Sequence, residues 1–264
     1  MKTQCLRGMI TVSFHREAVC MNILSIGNSF SQDAHRYLHR IARADGVTLN
    51  TFNLYIGGCP LSLHYRNMLS DAPAYTLEMN GTSTGFKVSL KEALLNRDWD
   101  LVTIQQVSTQ SPLYDTYQPY LNQLAEYIRH CVPKAKLAIH QTWAYEQSSS
   151  RLQTLFGYQD QADMFRDLKN AYQSAAQDIY ADYIIPGGEV LQALLANGIT
   201  KVHRDCHHAS FGLGRYALGL VWYAFLTGNT VVGNSFADFD EAIAPEEITI
   251  AQKCATEVAA QYRK

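Results

Sequence analysis

The sequence lacks the features that mark several broad classes of protein. Charge of one sign is not in excess, because the net charge is -2 and the pI is near 6.5. This balance gives no electrostatic argument for a nucleic-acid or anionic membrane partner, and we expect neither. None of the six cysteines stands in a Cys-x-x-Cys pair. Scattered cysteines in a chain of this length are typical of free thiols in a reducing compartment rather than of a disulfide framework.

The chain also lacks an internal repeat, a low-complexity segment and a linker rich in Pro, Gly or Ser. A chain of 264 residues is long enough for one α/β domain with a substantial core, so we expect residues 21–264 to form a single domain. Charged residues interrupt the short apolar pieces of residues 1–20, which therefore match neither a secretory signal nor a membrane span. We expect these residues to be an N-terminal extension or a mis-assigned start, and the protein to be cytoplasmic. The oligomeric state cannot be read from the sequence.

Short apolar runs alternate with amphipathic stretches along the chain. Runs rich in Val, Ile and Leu predict strands at residues 23–26, 49–56, 101–105, 137–140 and 183–186. The stretches between and after them predict helices at residues 33–44, 87–96, 117–130, 159–179, 188–196, 212–227 and 245–263. The stretch at 212–227 is apolar around most of its circumference but shorter than a membrane span, which predicts a buried helix. Such alternation favours a parallel sheet with helices on both faces.

Polar or glycine residues follow four of the predicted strands. In parallel sheets, ligands bind outside the carboxyl ends of the strands, at the point where strand order reverses. The sequence therefore predicts an active site at this edge. The residues are Ser29 after the first strand, Gly57 and Gly58 after the second, Gln105 and Gln106 at the end of the third, and Gln141 and Trp143 after the fourth.

Ser29 lies where an apolar strand stops and a helical pattern begins. A serine on such a turn exposes its hydroxyl at the edge of the sheet, although a helix N-cap has the same sequence pattern. A nucleophilic serine needs a base, and the base needs an orienting acid. Asp205 and His208 have the spacing at which one turn presents two side chains on the same side.

These segments resemble a known family. The block Gly27-Asn28-Ser29-Phe30 resembles the Gly-Asp-Ser-Leu block of the SGNH (GDSL-type) hydrolases, with Asn in place of Asp, and Asp205-x-x-His208 resembles that superfamily's closing Asp-x-x-His block. The nearer resemblance is to a bacterial SGNH-like branch with Gly-Asn-Ser-Phe in the first block and a Gln-rich third block. It implies a three-layer α/β/α fold with a flavodoxin-like parallel sheet. It also implies Ser29 as nucleophile, His208 as general base and Asp205 as the orienting acid.

The resemblance further implies an oxyanion hole. Its backbone donors would be the amides of Ser29 and of Gly58, with Gly57 as the alternative to Gly58. Typical SGNH members add the side-chain amide of an Asn in a Gly-x-Asn-Asp block, where this chain has Gln105-Gln106. A glutamine amide donates the same bond with one more methylene of reach, and strand alternation lets only one of the two face the crevice. We expect Gln106 to do so, with Gln105 as the alternative.

The expected reaction is metal-independent hydrolysis of an O-acetyl or other short acyl ester, on a carbohydrate, through an acyl-serine intermediate. No cofactor and no metal are expected. Sugars stack on aromatic rings, and ordinary packing at a strand end is the alternative explanation for aromatic residues there. The predicted substrate-binding residues are Gly57, Gln141, Trp143 and Tyr145.

Three other functions remain open on the sequence alone. The same fold can hydrolyse lipid esters or thioesters. A carbohydrate-binding domain that has lost the oxyanion hole would retain the same sequence blocks. The His, Asp and Cys residues at 203–208 also suggest metal-dependent hydrolysis, although adjacent histidines are poorly placed to share one ion.

Overall fold

A seven-stranded sheet forms the centre of the molecule in the computed structural model, which describes residues 20–263. The sheet order is β4-β3-β2-β1-β5-β6-β7. The five mutually parallel strands, taken in chain order, are arranged 2-1-3-4-5, which is the flavodoxin-like order. The strands are β1 (Cys20–Gly27), β2 (Thr48–Tyr55), β3 (Tyr75–Met79), β4 (Thr82–Val88), β5 (Leu101–Ile104), β6 (Lys136–Gln141) and β7 (Tyr183–Pro186).

Helices cover both faces of the sheet, which confirms the predicted three-layer α/β/α fold. Successive strand side chains point to opposite faces, so Ile23 packs into the core under α1, α2, α8, α9 and α10, whereas Leu24 packs into the core under α3, α4, α5 and α7. The helices are α1 (Ser29–His35), α2 (Leu38–Ala44), α3 (Leu61–Ser70), α4 (Leu90–Leu95), α5 (Tyr120–Cys131), α6 (Ser150–Phe156), α7 (Gln161–Asp178), α8 (Gly187–Ala196), α9 (Leu213–Thr227) and α10 (Pro245–Tyr262).

Helix α9 is buried at every residue from Leu213 to Phe225, as its apolar circumference predicts. It packs against α1, α2, α8 and α10. Within residues 20–263, no helix combines the length and the apolar character that crossing a bilayer requires. Apart from Cys20, the extension expected at residues 1–20 lies outside the described residues.

Five segments differ from the predicted elements. The helix expected over residues 33–44 is divided into α1 and α2 near Arg36, where the tight turn at Gly81 packs against the Arg36 carbonyl. The helix expected over residues 87–96 begins only at Leu90, because Ser89 and Glu92 form a capping box and the preceding residues form β4. The antiparallel hairpin β3-β4 and the helices α3 and α6 were not predicted.

The topology places Ser29 at the point where strand order reverses. From β1 the chain passes to β2 on one side, and it later returns to β5 on the other side of β1. Gly27 pairs with Tyr55 of β2, and Ile26 pairs with Ile104 of β5, so the carboxyl ends of the three strands meet at one edge. This is the edge at which ligands bind in open α/β sheets.

Candidate active site

The turn between β1 and α1 presents the Ser29 side chain at the sheet edge. Asn28 caps α1, since its Oδ1 accepts a hydrogen bond from the Phe30 amide over 3.0 Å. Gly27 allows the Ser31 side chain to approach the backbone of the turn, because a Cβ at Gly27 would lie 2.3 Å from the Ser31 Oγ. Ser29 is the first residue of α1 and remains partly exposed.

A chain of hydrogen bonds joins Ser29, His208 and Asp205. The Ser29 hydroxyl donates to the His208 Nε2 over 2.8 Å, and the His208 Nδ1–H donates to the Asp205 Oδ2 over 2.8 Å. The Asp205 Oδ1 accepts from the His208 backbone amide over 2.9 Å. A carboxylate can only accept, so the His208 proton lies on Nδ1 and Nε2 is free to take the serine proton. The structure thus brings together the three residues to which the sequence assigned catalysis.

The charge state of Asp205 suits the orientation of an imidazole. Partial burial raises the pKa of its carboxyl, but hydrogen bonds from the His208 side chain and backbone lower it further than burial raises it, so the pKa lies below the usual value. Asp205 is therefore ionised at neutral pH. Its side chain is 47% exposed, so solvent reaches this end of the site.

Contacts from the strand ends hold the loop that carries His208. The Trp143 indole N–H donates to the His207 carbonyl over 2.8 Å, and the Trp143 ring stacks on Phe30 with centroids 4.2 Å apart. The Glu146 amide donates to the Cys206 carbonyl over 2.8 Å. Cys206 has φ of 70°, a left-handed conformation that costs a non-glycine residue about 1–2 kcal/mol. The surrounding contacts therefore impose the shape of this loop.

A buried ion pair links α1, the helix that begins at Ser29, to the same loop. Asp33, one turn after Ser29 on α1, is 0% exposed and accepts from the Arg204 Nη1 over 3.0 and 2.9 Å. The Arg215 Nε also donates to Asp33, over 2.8 Å. Burial raises the pKa of Asp33, and the two guanidinium groups oppose that rise. Because Arg204 directly precedes Asp205, the pair sets the loop against α1.

The glycine turn after β2 lies beside the serine turn. Gly58 adopts φ of 61°, which favours glycine, and both Gly57 and Gly58 are exposed. The Asn28 Nδ2 donates to the Cys59 carbonyl over 3.2 Å and so ties the two turns together. Among residues 20–263, the backbone N–H groups of Ser29 and Gly58 donate to no protein acceptor. Both amides are thus available to a ligand.

The two glutamines after β5 differ from expectation. Gln106 is 0% exposed; its Nε2 donates to the Thr116 carbonyl and hydroxyl, each over 3.2 Å. The Gln105 Nε2 donates to the Asn28 Oδ1 over 2.9 Å. This corrects the expectation that Gln106 offers a free amide to an oxyanion, because two protein acceptors occupy its amide group. The alternative, Gln105, is 2% exposed and has one protein acceptor for its two N–H groups.

The expectation that Trp143 and Tyr145 stack on a sugar is also corrected. Trp143 and Tyr145 are 0% exposed, and Gln141 is 1% exposed. Side chains buried to this degree present no face to a sugar, so Trp143 supports the His208 loop and Tyr145 packs with α6 and α7. Of the four predicted substrate-binding residues, only Gly57 is exposed.

One group of residues in the described part of the chain has metal-ligand geometry. The donor atoms of Asp205, His207 and His208 lie within 4.8 Å of one another. Both ring nitrogens of His208 already face Asp205 and Ser29, so a metal ion there would displace those hydrogen bonds. Burial and the neighbouring His208 lower the pKa of His207. His203 is not part of the group, because its Nε2 faces the Ala144 carbonyl at 3.1 Å.

A family model described as "Domain of unknown function (DUF4886)" matches residues 22–258. The chain belongs to this family. A crystal structure of a DUF4886 family protein from Bacteroides uniformis is 33% identical, covers 93% of this chain and 96% of its own, and has a TM-score of 0.84. None of the curated proteins matches.

More distant structures share the fold of this DUF4886 protein. A candidate SGNH hydrolase from Slackia heliotrinireducens is 23% identical over 77% of this chain and 97% of its own, with a TM-score of 0.56. An enzyme called LAE5, from the metagenome of Lake Arreo in Spain and titled an alpha/beta hydrolase, is 13% identical over 78% of this chain and 95% of its own, with a TM-score of 0.52. The fold is therefore SGNH hydrolase-like, as the motif resemblance implied.

Three residues that support the site were not predicted from the sequence of this DUF4886 protein. Asn28 was noted only as a departure from Asp, and its tie to the glycine turn is visible only in the structure. Asp33 follows Ser29 by one helical turn and Arg204 directly precedes Asp205. Opposite charges placed next to both catalytic blocks were a usable signal, because charged groups are seldom buried unless they are paired.

Proposed function

We propose that this protein is a metal-independent serine esterase that hydrolyses O-acetyl or other short acyl esters, carried on a carbohydrate. The observation that carries the proposal is the continuous chain from the Ser29 Oγ through His208 to Asp205, with both hydrogen bonds 2.8 Å long. Nucleophile, base and orienting acid in this order have the geometry of acyl transfer through a covalent intermediate.

The Ser29 Oγ attacks the ester carbonyl carbon while the His208 Nε2 takes the hydroxyl proton. The carbonyl oxygen becomes an oxyanion held by the amides of Ser29 and Gly58, and each preorganised donor of this kind contributes about 2.7–4 kcal/mol to the transition state. Collapse breaks the bond to the alkoxy oxygen, and His208 returns the proton to the departing alcohol. Water then attacks the acyl-serine with His208 as base, which releases the acid and regenerates Ser29.

The open position of the site supports a short acyl group. A groove of about 1120 Å³ lies at the amino ends of the parallel strands, where Met21, Leu101 and Lys136 line it, and it includes none of the three catalytic candidates. A smaller apolar groove near Phe52 and Trp99 also lies apart from them. A long acyl chain would need an apolar trough beside Ser29, whereas an acetyl group needs none. The carbohydrate carrier rests on the motif resemblance.

The decisive test is intact-mass analysis after incubation with a fluorophosphonate. We expect one adduct on the wild type, none on Ser29→Ala and a slower reaction of His208→Ala. Ser148→Ala, which removes an exposed serine outside the site, is the matched control and should react as the wild type does. A well-folded wild type that forms no adduct would contradict the proposal and favour a carbohydrate-binding module.

Two further experiments distinguish the proposed function from the other candidate functions. Hydrolysis of p-nitrophenyl acetate that is lost with a chelator and restored by zinc would instead indicate a metal ion at Asp205, His207 and His208. Comparison of p-nitrophenyl acetate, butyrate and octanoate measures chain-length preference. A preference for octanoate would favour a lipid esterase of the same fold.

A further inference from the structure

The position of the turn between β2 and α3 is not explained by packing of its glycines. A Cβ at Gly58 would meet no heavy atom within 4 Å, so the space beside its Cα is open. Two backbone hydrogen bonds that flank the glycines are long: Ile56 donates to Gly27 over 3.4 Å, and Cys59 donates to Ile56 over 3.3 Å. Hydrogen bonds this long are weak restraints. Side chains from outside the turn add to these bonds and to the buried side chain of Cys59.

Asn28 holds the turn from the side of the nucleophile. Its Nδ2 donates to the Cys59 carbonyl over 3.2 Å, while its Oδ1 accepts from Phe30 and Gln105. The side chain is 2% exposed, so water does not share these roles. Aspartate has two acceptor oxygens and no donor when ionised, so it cannot make the bond to Cys59.

Gln106 holds the other end of the turn. Its Oε1 accepts from the Leu61 amide over 3.0 Å, at the first residue of α3, and from the Val107 amide over 2.9 Å. Its Nε2 donates to Thr116. The glycine turn is thus tied to the end of β5 at Leu61 and to the end of β1 at Cys59.

The hydrogen-bond network determines the orientation of the amides. The Phe30 N–H needs an acceptor, which assigns the oxygen of Asn28 to it and leaves Nδ2 for Cys59. Gln105 then donates through Nε2 to that oxygen, and its Oε1 accepts from the His140 Nδ1 over 2.8 Å. Burial, followed by the charge of His35, lowers the pKa of His140 to about 3, so its imidazole is neutral and has one N–H to donate.

We propose that Asn28 and Gln106 are positioning residues that hold the Gly58 backbone amide where the oxyanion forms. On this assignment, the Gln-rich third block acts through the glycine turn and not by touching the substrate. The Asn of the first block is required because the turn needs a donor at Cys59. The inference rests on the proposed esterase function and adds the residues that set its oxyanion hole.

The test compares p-nitrophenyl acetate with its thionoester, in which sulfur replaces the carbonyl oxygen. Sulfur is larger and accepts hydrogen bonds weakly, so an intact oxyanion hole favours the oxygen ester. The ratio of the two kcat/KM values therefore reports the hole, whereas a general loss of folded protein leaves the ratio unchanged. Asn28→Asp keeps the size of the side chain and both acceptor roles but loses the bond to Cys59.

We expect Asn28→Asp to lower kcat/KM for the oxygen ester by roughly 10²-fold, because loss of one oxyanion donor costs about 10²–10³ in rate. The thionoester should lose far less. Gln106→Met, of similar volume, should change the ratio in the same direction and provides the test if Asn28→Asp does not fold. Gln252→Met is the matched control, because Gln252 is a buried amide on α10 whose Oε1 accepts from the Gly233 amide over 2.8 Å. Its side-chain hydrogen bonds go to Gly233, Tyr216 and Asn234 and not to residues of the site.

Folded Asn28→Asp and Gln106→Met proteins with the wild-type ratio would overturn the positioning role while leaving the esterase proposal intact. An equal change of ratio in Gln252→Met would also overturn it, because the effect would then be general. A wild type with no Ser29-dependent hydrolysis of the oxygen ester would refute the esterase function and this role together.

Discussion

Replacement of Asp33 by Asn should destabilise the protein far more than the same replacement at a surface ion pair. Asp33 is 0% exposed and receives three hydrogen bonds of 2.8 to 3.0 Å from Arg204 and Arg215. Asparagine preserves the size of the side chain but removes the negative charge. It also presents an N–H group to guanidinium groups that can only donate. The substitution therefore leaves buried cations without their partner.

The size of the effect follows from burial. Removal of one member of a buried ion pair costs about 3–5 kcal/mol, because the remaining charge is left uncompensated in a low dielectric. Arg215 retains a second carboxylate, Asp240, at 2.8 Å, so we expect the lower end, about 3 kcal/mol. Asp238, which pairs with Arg40, has a side chain that is 82% exposed, and such surface pairs contribute about 0–1 kcal/mol.

Guanidinium unfolding of the wild type, Asp33→Asn and Asp238→Asn measures both free energies. The expected order is a large loss for Asp33→Asn and a change near zero for Asp238→Asn. Fluorophosphonate labelling of Ser29 should also slow in Asp33→Asn, because the ion pair sets the His208 loop against α1. A loss below about 1 kcal/mol in Asp33→Asn would refute the reasoning, since it would mean that the pair behaves as an exposed one.

Three further outcomes are expected. Gly58→Ala should slow Ser29 labelling and lower the unfolding free energy by about 1–2 kcal/mol, because Gly58 has a left-handed φ of 61°. Gly57→Ala, at a residue without positive φ, should lower it less. Equal effects of the two substitutions would contradict this prediction. Burial lowers the pKa of His64 to about 3. As the pH falls below 6.5, His64 is therefore protonated in the unfolded chain before it is protonated in the folded protein, which destabilises the folded protein. His64→Gln should reduce the resulting loss of unfolding free energy between pH 6.5 and 4.5 by up to about 1.4 kcal/mol per pH unit, as measured by guanidinium titrations. An unchanged dependence of the unfolding free energy on pH would contradict this prediction. Cys206→Gly should keep the wild-type melting temperature and labelling rate. Cys206→Val should lower both, because a β-branched residue strains a backbone with φ of 70° by about 1–3 kcal/mol. A stable and reactive Cys206→Val protein would contradict the inference that surrounding contacts impose the conformation of this loop.

Local patterns were sufficient for the fold, and the two motif blocks were sufficient to name the proposed catalytic side chains. Short apolar runs separated by amphipathic stretches indicate a parallel α/β sheet, because buried strands and covering helices have different hydrophobic periods. Ser29 lies directly after the first such run, and Asp205 and His208 are close in sequence. Hydrogen bonds within a short loop depend on local spacing, so the proximity of Asp205 to His208 could be predicted.

Long-range partners were decided only by the tertiary structure. Gln106 looked like a free donor at a strand end, yet it is saturated by Thr116 and by the backbone of Leu61. Trp143 looked like a surface ring, yet it is enclosed between Phe30 and the His208 loop. A buried amide or indole takes whichever partner the packed elements bring within about 3 Å, and that partner lies far away along the chain. The sequence by itself determined the candidate catalytic groups, and the packing of β1, β2 and β5 determined which groups hold them in place.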